Sequence, residues 1–241
     1  TMDCGGLVGG FAEGYTKAAI SVVDKFSNKN LEVQANSVNV LGLSDFYYNG
    51  TADRKEICRL LKMVGYKINA IPGSGSSLED LGKLGAAGLN IVCNEELGLK
   101  LAQHLEKVFG TPYVVVGMPY GIEGTQDWLE RIHKVLPCEN LQAVKEEGKE
   151  LLERLIAQGN DYRGVWGSLW FDNVILAAPG TQALCMAQAL RREWADMGEL
   201  TVICQHAVKT ADYCDVADKV LVVGKDAAEI ESLLQNAEDV L

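Results

Sequence analysis

Short apolar runs alternate with amphipathic helical stretches along most of the chain. Apolar runs at residues 38–41, 67–71, 89–93 and 113–116 predict four strands. Between them, apolar residues recur three or four positions apart, as at Leu97, Leu101 and Leu105, which predicts helices. Strands that alternate with helices in this way are typical of a parallel sheet with helices on its faces.

A second, shorter set of elements follows a charged helical stretch at residues 139–158. An irregular segment is expected at 159–168, then strands at 173–178, 200–204 and 219–223, with one helix that starts at Pro179 and ends at Gly198 and another at 227–234. We therefore predict an α/β protein with two Rossmann-like, doubly wound parallel-sheet domains joined by a long helix. The predicted divisions are a leading loop and helix (1–30), a Rossmann-like domain (31–137), a connecting helix (138–160) and a second, truncated Rossmann-like domain (161–241).

Composition excludes several classes of protein. Of the 241 residues, 48% are hydrophobic and 23% are charged, as in ordinary globular domains. The net charge of -11 argues against binding to nucleic acid or to an anionic membrane. The chain shows neither an 18-residue apolar run nor a recognisable leader. Seven scattered cysteines without a CxxC pair favour reduced thiols, and so a cytoplasmic location.

A glycine- and serine-rich loop follows the second predicted strand. Free amides at a helix start beside Gly73, Ser74 and Ser76 suit a phosphate group. The alternative is a turn that caps the next helix, with Ser76 and Glu79 as a capping box. A dinucleotide fingerprint would need a third glycine where Leu78 stands, and the chain lacks a P-loop motif.

Two further candidate residues follow the third predicted strand. Side chains at the carboxyl ends of parallel strands reach the ligand crevice in such folds, and Cys93 and Asn94 occupy such a position. A thiolate at Cys93 can ligate iron or attack a substrate. The alternative is a small, buried core thiol.

Aromatic residues and histidines are weaker candidates for ligand-binding or metal-binding residues. Phe46, Tyr47 and Tyr48 lie in a long loop after the first strand, where they would stack on a ligand or pack against a neighbouring domain. His104 and His133 are expected on helix surfaces.

A third histidine, His206, lies near Cys204 and Cys214, but this spacing matches no recognised zinc site.

The order of these pieces resembles the nitrogenase component 1 proteins and their relatives. The resemblance rests on residues 38–42 (VNVLG), 75–80 (GSSLED), 89–92 (LNIV), 109–113 (FGTPY) and 222–226 (VVGKD). Gly10, Phe11, Gly14 and Tyr15 resemble the glycine-tyrosine helix that leads into this region in the family. The resemblance spans nearly the whole chain and depends on the order and spacing of the motifs.

The resemblance implies a three-domain protein, of which this chain would be the second domain and most of the third. Such proteins hold an iron–sulfur cluster or related metallocluster in the full-length complex. This fragment, which lacks the domain that supplies the interface cysteines, is expected to hold none. The implied partners are a homologous component 1 subunit, in an α2β2-type or homo-oligomeric assembly, and an ATP-dependent iron–sulfur reductase. Neither nucleic acid nor membrane is expected as a partner.

The resemblance also implies a function and a set of site residues. The expected function is electron-transfer-driven reduction of a small molecule or tetrapyrrole, at a metallocluster or bound substrate between domains. The alternative is a non-catalytic scaffold for metallocofactor assembly, or a binding protein, on the same fold. Cofactor contacts are expected from Cys93, Asn94, Gly73, Ser74 and Ser76, with Cys93 as a metal ligand. Asn94 holds the place of the cofactor-ligating cysteine of nitrogenase α chains, so the chain is expected to be a divergent member.

Overall fold

The computed structural model describes residues 10–28, 30–166, 170–194, 196–208 and 215–235. The chain divides into two compact units. The first unit comprises Thr1–Gly117 and Trp128–Val144, and the second comprises Met118–Asp127 and Lys145–Leu241. Each unit contains one parallel sheet, which confirms the predicted α/β class with two parallel-sheet regions.

The first unit is built on a four-stranded sheet in the order β2-β1-β3-β4. The strands are β1 (Ser37–Leu41), β2 (Lys67–Ala70), β3 (Leu89–Val92) and β4 (Tyr113–Val115), and all pairs are parallel. The chain passes from β1 to β2 on one side and then returns to the other side of β1 for β3. The order therefore reverses between β1 and β3, the kind of switch point beside which open α/β sheets bind ligands.

Five helices in the described part of the chain accompany this sheet, in the segments where the spacing of apolar residues predicts them. They are α1 (Phe11–Phe26), α2 (Gly50–Met63), α3 (Leu78–Gly82), α4 (Glu95–Phe109) and α5 (Ile122–Val135), with a short 3-10 turn at Leu84–Ala86. Val23 of α1 and Leu101 and Leu105 of α4 pack with Leu41 and Val92 of the sheet in one buried cluster. Helix α1 begins at Phe11 and lies within residues 1–30, for which a loop and a helix were predicted.

Three asparagines connect the central strands through their side chains. Asn39 of β1 is fully buried, and its Nδ2 donates to Asn90 Oδ1 at 2.8 Å and to the Leu84 carbonyl at 2.9 Å. Asn69 Nδ2 donates to Asn39 Oδ1 at 2.7 Å. We call Asn39, Asn69 and Asn90 the asparagine ladder. It fixes the relative positions of β2, β1 and β3 because a slip of one residue would leave buried amides without partners.

The second unit contains a three-stranded parallel sheet in the order β5-β6-β7. Its elements are α6 (Gln142–Trp166), β5 (Trp170–Ala178), α7 (Gly180–Ala189), β6 (Asp196–Cys204), β7 (Lys219–Val222) and α8 (Ala227–Gln235), with a π-helical turn at Leu190–Trp194. Ala183, Leu184 and Ala187 of α7 pack against Leu200 and Val202 of β6.

Two expectations for the second unit were wrong. The segment predicted to be irregular at 159–168 is helical as far as Trp166, because each of its two glycines, Gly159 and Gly164, costs a helix only about 1 kcal/mol and does not end it. The helix predicted to end at Gly198 ends instead at Trp194, in a π-helical turn, and β6 begins at Asp196. The strand expected to begin at residue 239 lies outside the described residues.

Candidate functional site

The loops after β1 and β3 meet backbone to backbone at the switch point of the first sheet. Asn94 Nδ2 donates to the Gly42 carbonyl at 2.7 Å. Gly42 has a φ of 85°, and a Cβ atom there would lie 2.5 Å from the Asn94 carbonyl oxygen. Only glycine therefore fits this position, since the backbone angle and the close approach both exclude a larger residue.

The structure places Cys93 and Asn94 inside the protein. Their exposed fractions are 0% and 1%. The Cys93 amide donates to the Leu41 carbonyl at 2.9 Å, which continues the pairing of β1 with β3 by one residue. Asn94 Oδ1 is buried and accepts no hydrogen bond from the described residues. The assignment of Cys93 as a metal ligand and of Asn94 as a cofactor contact stays a prediction.

The loop after β2 uses its own polar groups to hold its shape. Gly73 has a φ of 81°, and the Ser74 hydroxyl donates to Asp45 Oδ1 at 2.6 Å. Ser76 Oγ accepts from the Ile71 amide at 2.7 Å. The structure thus brings Gly73, Ser74 and Ser76 together on one loop, which contacts the loop after β1.

The predicted capping box was wrong by one residue. Ser77 caps α3, and its hydroxyl accepts from the Asp80 amide while Asp80 accepts from the Ser77 amide. Backbone hydrogen bonds from Ser77 hold the pKa of Asp80 below its usual range. Ser76 is not available as the cap because its hydroxyl accepts the bond that closes the loop.

Tyr15 of α1 fastens the two loops to each other. Its hydroxyl lies 3.1 Å from the Leu43 carbonyl and 2.7 Å from the Pro72 carbonyl. The ring lies directly over Gly73, where a Cβ atom would be 2.0 Å from the tyrosine oxygen. Burial, and secondarily the Asp45 carboxylate, raise the pKa of Tyr15. Reasoning from the residues assigned Tyr15 no site role, and its one signal was the glycine-tyrosine pattern at the start of α1.

A guanidinium lies beneath the same loops. Arg54 Nε is 3.6 Å from Asp45 Oδ1, and a Cβ atom on Gly75 would lie 2.6 Å from Arg54 Nη1. Arg54 Nε is buried and has no partner at hydrogen-bond distance among the described residues. The edge therefore combines a carboxylate, a hydroxyl and an arginine, and an arginine can bind an anionic group with two parallel hydrogen bonds. Reasoning from the sequence did not identify Arg54, which lies in the first turns of α2.

Aromatic rings border this edge. The rings of Phe11 and Phe46 lie 6.1 Å apart, and those of Phe11 and Tyr47 lie 6.0 Å apart. Phe11 is 44% exposed and Phe46 is 87% exposed. Burial and the Glu96 carboxylate raise the pKa of Tyr47, whose hydroxyl is 3.5 Å from that carboxylate. Two exposed rings beside polar loops can stack on a flat ligand.

The part of the chain that the structure describes does not fit an iron–sulfur cluster by itself. Such clusters are held by several cysteine thiolates. Among the described residues, no group of three or more histidine, cysteine or acidic side chains is arranged to hold a metal ion.

The three histidines have different surroundings. His104 Nε2 lies 2.7 Å from Asp24 Oδ1, and His133 Nδ1 lies 3.2 Å from Cys138 Sγ. His206 Nε2 is buried and has no hydrogen-bond partner within the described ranges. Cys214 lies outside the described residues, so the set of Cys204, His206 and Cys214 stays untested.

Comparison with known proteins identifies the family. The profile of the family described as nitrogenase component 1 type oxidoreductase matches residues 1–239. The chain belongs to this family. The resemblance inferred from the motifs is therefore confirmed.

Relatives within the family include components of a reductase. The chain is 30% identical over 210 residues to a subunit of the light-independent protochlorophyllide reductase of Huperzia lucidula, an alignment that covers 76% of this chain and 40% of the relative. It is 33% identical over 217 residues to the corresponding subunit from Zygnema circumcarinatum, covering 81% of this chain and 41% of the relative. The chain thus spans about two fifths of the length of these relatives.

A solved structure described as nitrogenase Cp1 at pH 6.5 has the same fold. It superposes with a TM-score of 0.74 at 18% sequence identity, covering 95% of this chain and 53% of that chain. Within the described residues, no helix is both long enough and apolar enough to cross a membrane.

Proposed function

We propose that this chain is part of an oxidoreductase that reduces a tetrapyrrole or another small molecule with electrons supplied by a separate reductase. The observation that carries the proposal is the family match over residues 1–239, together with relatives named as protochlorophyllide reductase subunits. The relatives are much longer than this chain, so the activity belongs to the complete protein and its partners.

The carboxyl edge of the first sheet is the proposed substrate surface of this chain. Its exposed rings, Phe11 and Phe46, suit the face of a flat conjugated ring system, since offset or edge-to-face aromatic contacts stabilise such pairs. Arg54 offers a guanidinium for a carboxylate substituent on the same molecule. These two features together favour a tetrapyrrole acid over a small uncharged substrate.

The proposed assembly contains a homologous component 1 subunit and an ATP-dependent iron–sulfur reductase. A cluster, when bound, would supply the site with electrons. Its ligands would come largely from outside the described residues, with Cys93 as the candidate ligand of this chain. Asn94, Gly73, Ser74 and Ser76 are the proposed cofactor-side contacts. The described residues themselves shape the ligand surface and orient its loops, because Tyr15 and the Ser74–Asp45 hydrogen bond hold the loops after β1 and β2 together.

Binding of protochlorophyllide to the anaerobically purified full-length complex tests this proposal. The double substitution Phe11→Ala with Phe46→Ala removes the two exposed rings and should weaken binding about thirtyfold, from about 1 kcal/mol for each ring contact. Phe26→Ala is the matched control, since Phe26 is an exposed phenylalanine at the opposite end of α1. Equal affinity of the two variants would contradict the proposed surface.

Turnover then separates an enzyme from a scaffold. The complex, supplied with its reductase and ATP, should convert the bound tetrapyrrole, which is followed by its absorption spectrum. A complex that retains iron and passes a cofactor to another protein, but reduces no substrate, would support the scaffold alternative.

A further inference from the structure

A cysteine and a histidine are paired at the end of α5. His133 lies in the last turn of α5, and Cys138 follows three residues after the helix ends. Cys138 Sγ is 3.2 Å from His133 Nδ1, and the Cys138 amide donates to the same nitrogen at 3.1 Å. Because a backbone amide can only donate, Nδ1 is the unprotonated nitrogen of this imidazole, and its lone pair faces both the Cys138 amide and the Cys138 sulfur.

This pairing distinguishes Cys138 from the other cysteines that the structure describes. Cys93, Cys185 and Cys204 are buried. Cys58 is partly exposed, like Cys138, but burial raises the pKa of its thiol and no imidazole is bonded to it in the described residues. Cys138 thus combines partial exposure with a base at hydrogen-bond distance, the two requirements for a reactive thiol.

The surroundings of Cys138 leave it accessible while holding its position. Pro137 and Glu139 on either side of it are exposed, and the Glu139 amide donates to the Val64 carbonyl at 3.1 Å. Tyr66 donates its hydroxyl to the Leu136 carbonyl, which fixes the start of the segment. Burial, and secondarily the nearby Cys138 thiol, raise the pKa of Tyr66. Among the described residues, the titratable side chains beside the sulfur are therefore His133 and Tyr66, whereas the Glu139 carboxylate lies near Asn36 Nδ2 and Gly65.

We propose that Cys138 is a thiol-modification site that forms mixed disulfides with small disulfides such as glutathione disulfide. His133 Nδ1 takes the thiol proton as the Cys138 sulfur attacks one sulfur of the reagent. A new bond forms between Cys138 and one glutathione, the original S–S bond breaks, and the other glutathione leaves as a thiolate that collects the proton. One thiol is oxidised and one half of the disulfide is reduced, so the exchange needs no further oxidant.

Exchange rates at individual cysteines test the site. The protein is incubated with glutathione disulfide at neutral pH, free thiols are trapped, and modified peptides are quantified by mass spectrometry. We expect Cys138 to react at least about tenfold faster than Cys58 in the folded protein. In denaturing urea the two thiols should react at similar rates, because the imidazole is no longer held beside Cys138. A folded-state ratio near one would overturn the proposal.

Two histidine variants isolate the role of the base. His133→Asn retains an oxygen that can accept from the Cys138 amide but has no group that takes up a proton, so the Cys138 rate should fall about tenfold. His104→Asn removes a half-buried imidazole elsewhere in the same unit, where it is paired with Asp24, and should leave the rate unchanged. A Cys138 rate in His133→Asn equal to or above that of the unmodified protein would also overturn the proposal.

Discussion

Replacement of Asn39 by alanine should destabilise the first unit strongly. The substitution removes the donor to the buried Asn90 Oδ1 and to the Leu84 carbonyl, and the acceptor of Asn69 Nδ2. Asn69 keeps its second bond, to the Lys83 carbonyl, and the Leu84 carbonyl keeps its bond from the Ala87 amide at 3.5 Å. Asn90 Oδ1 is therefore the one group left without a partner among the described residues. The unsatisfied Asn90 Oδ1 costs about 1–3 kcal/mol and each of the two other lost hydrogen bonds about 0.5–1.5 kcal/mol, which gives a total of about 2–6 kcal/mol.

Urea denaturation, followed by hydrogen exchange in peptides from β1 and β3, measures this loss in the first unit alone. With a denaturant slope of about 2 kcal/mol per molar urea, the midpoint should fall by about 1–3 M. Asn30→Ala is the control, since Asn30 is exposed, and should change stability by less than about 0.5 kcal/mol. If Asn39→Ala unfolds at the same urea concentration as the control, the ladder does not hold the strands in register.

Three further predictions concern the loops at the carboxyl edge. Gly42→Ala should destabilise the first unit by more than about 3 kcal/mol in thermal unfolding, because the added Cβ atom would meet the backbone of the loop after β3. Gly110→Ala is the control and should cost only about 1–2 kcal/mol, because Gly110 also has a positive φ but faces open space. Similar losses in the two variants would refute the close approach at Gly42. Tyr15→Phe should lower the free energy of unfolding by about 1–2 kcal/mol and speed hydrogen exchange in the loop after β2. Tyr48→Phe, at an exposed ring, should change neither the stability nor the exchange rate. Burial raises the pKa values of Tyr15 and Tyr47 above the ordinary 10.0, so the stability that these two neutral side chains contribute is complete below pH 10.0 and is lost as the pH rises further. Ultraviolet absorbance at alkaline pH should show the two tyrosines ionising only as the protein unfolds. Ionisation before unfolding would contradict their burial.

These contacts orient the loops at the carboxyl edge of the first sheet. Tyr15 and Asp45 act on groups of two different loops, so substitution of either should move the edge as a whole. Such movement is expected to weaken ligand binding even where no ligand contact is lost, because a site on loops depends on the packing that positions them.

The local spacing of apolar residues was sufficient to predict most strands and helices of this fold, although not the helical conformation of residues 159–166. A strand such as β3 and a helix such as α4 are each recognisable from the spacing of apolar residues, because burial of one face follows directly from the geometry of the backbone. Gly110 ends α4 in the left-handed conformation, which few residues other than glycine tolerate.

Contacts between distant residues were not visible in the sequence. The choice of Ser77 over Ser76 as the cap depends on the Ile71 amide, and the position of Arg54 depends on how α2 passes beneath the loop after β2. Tyr15 lies 57 positions from Pro72, and Asn39 lies 51 positions from Asn90.

The order and type of the elements, and through the motifs the family, follow from the amino-acid sequence without further information. Which polar groups meet at the carboxyl edge, and which are used internally, depends on the fold in three dimensions. The physical reason is that apolar periodicity is a local property of the chain, whereas a hydrogen bond between two loops exists only after the strands beneath them have paired in one register.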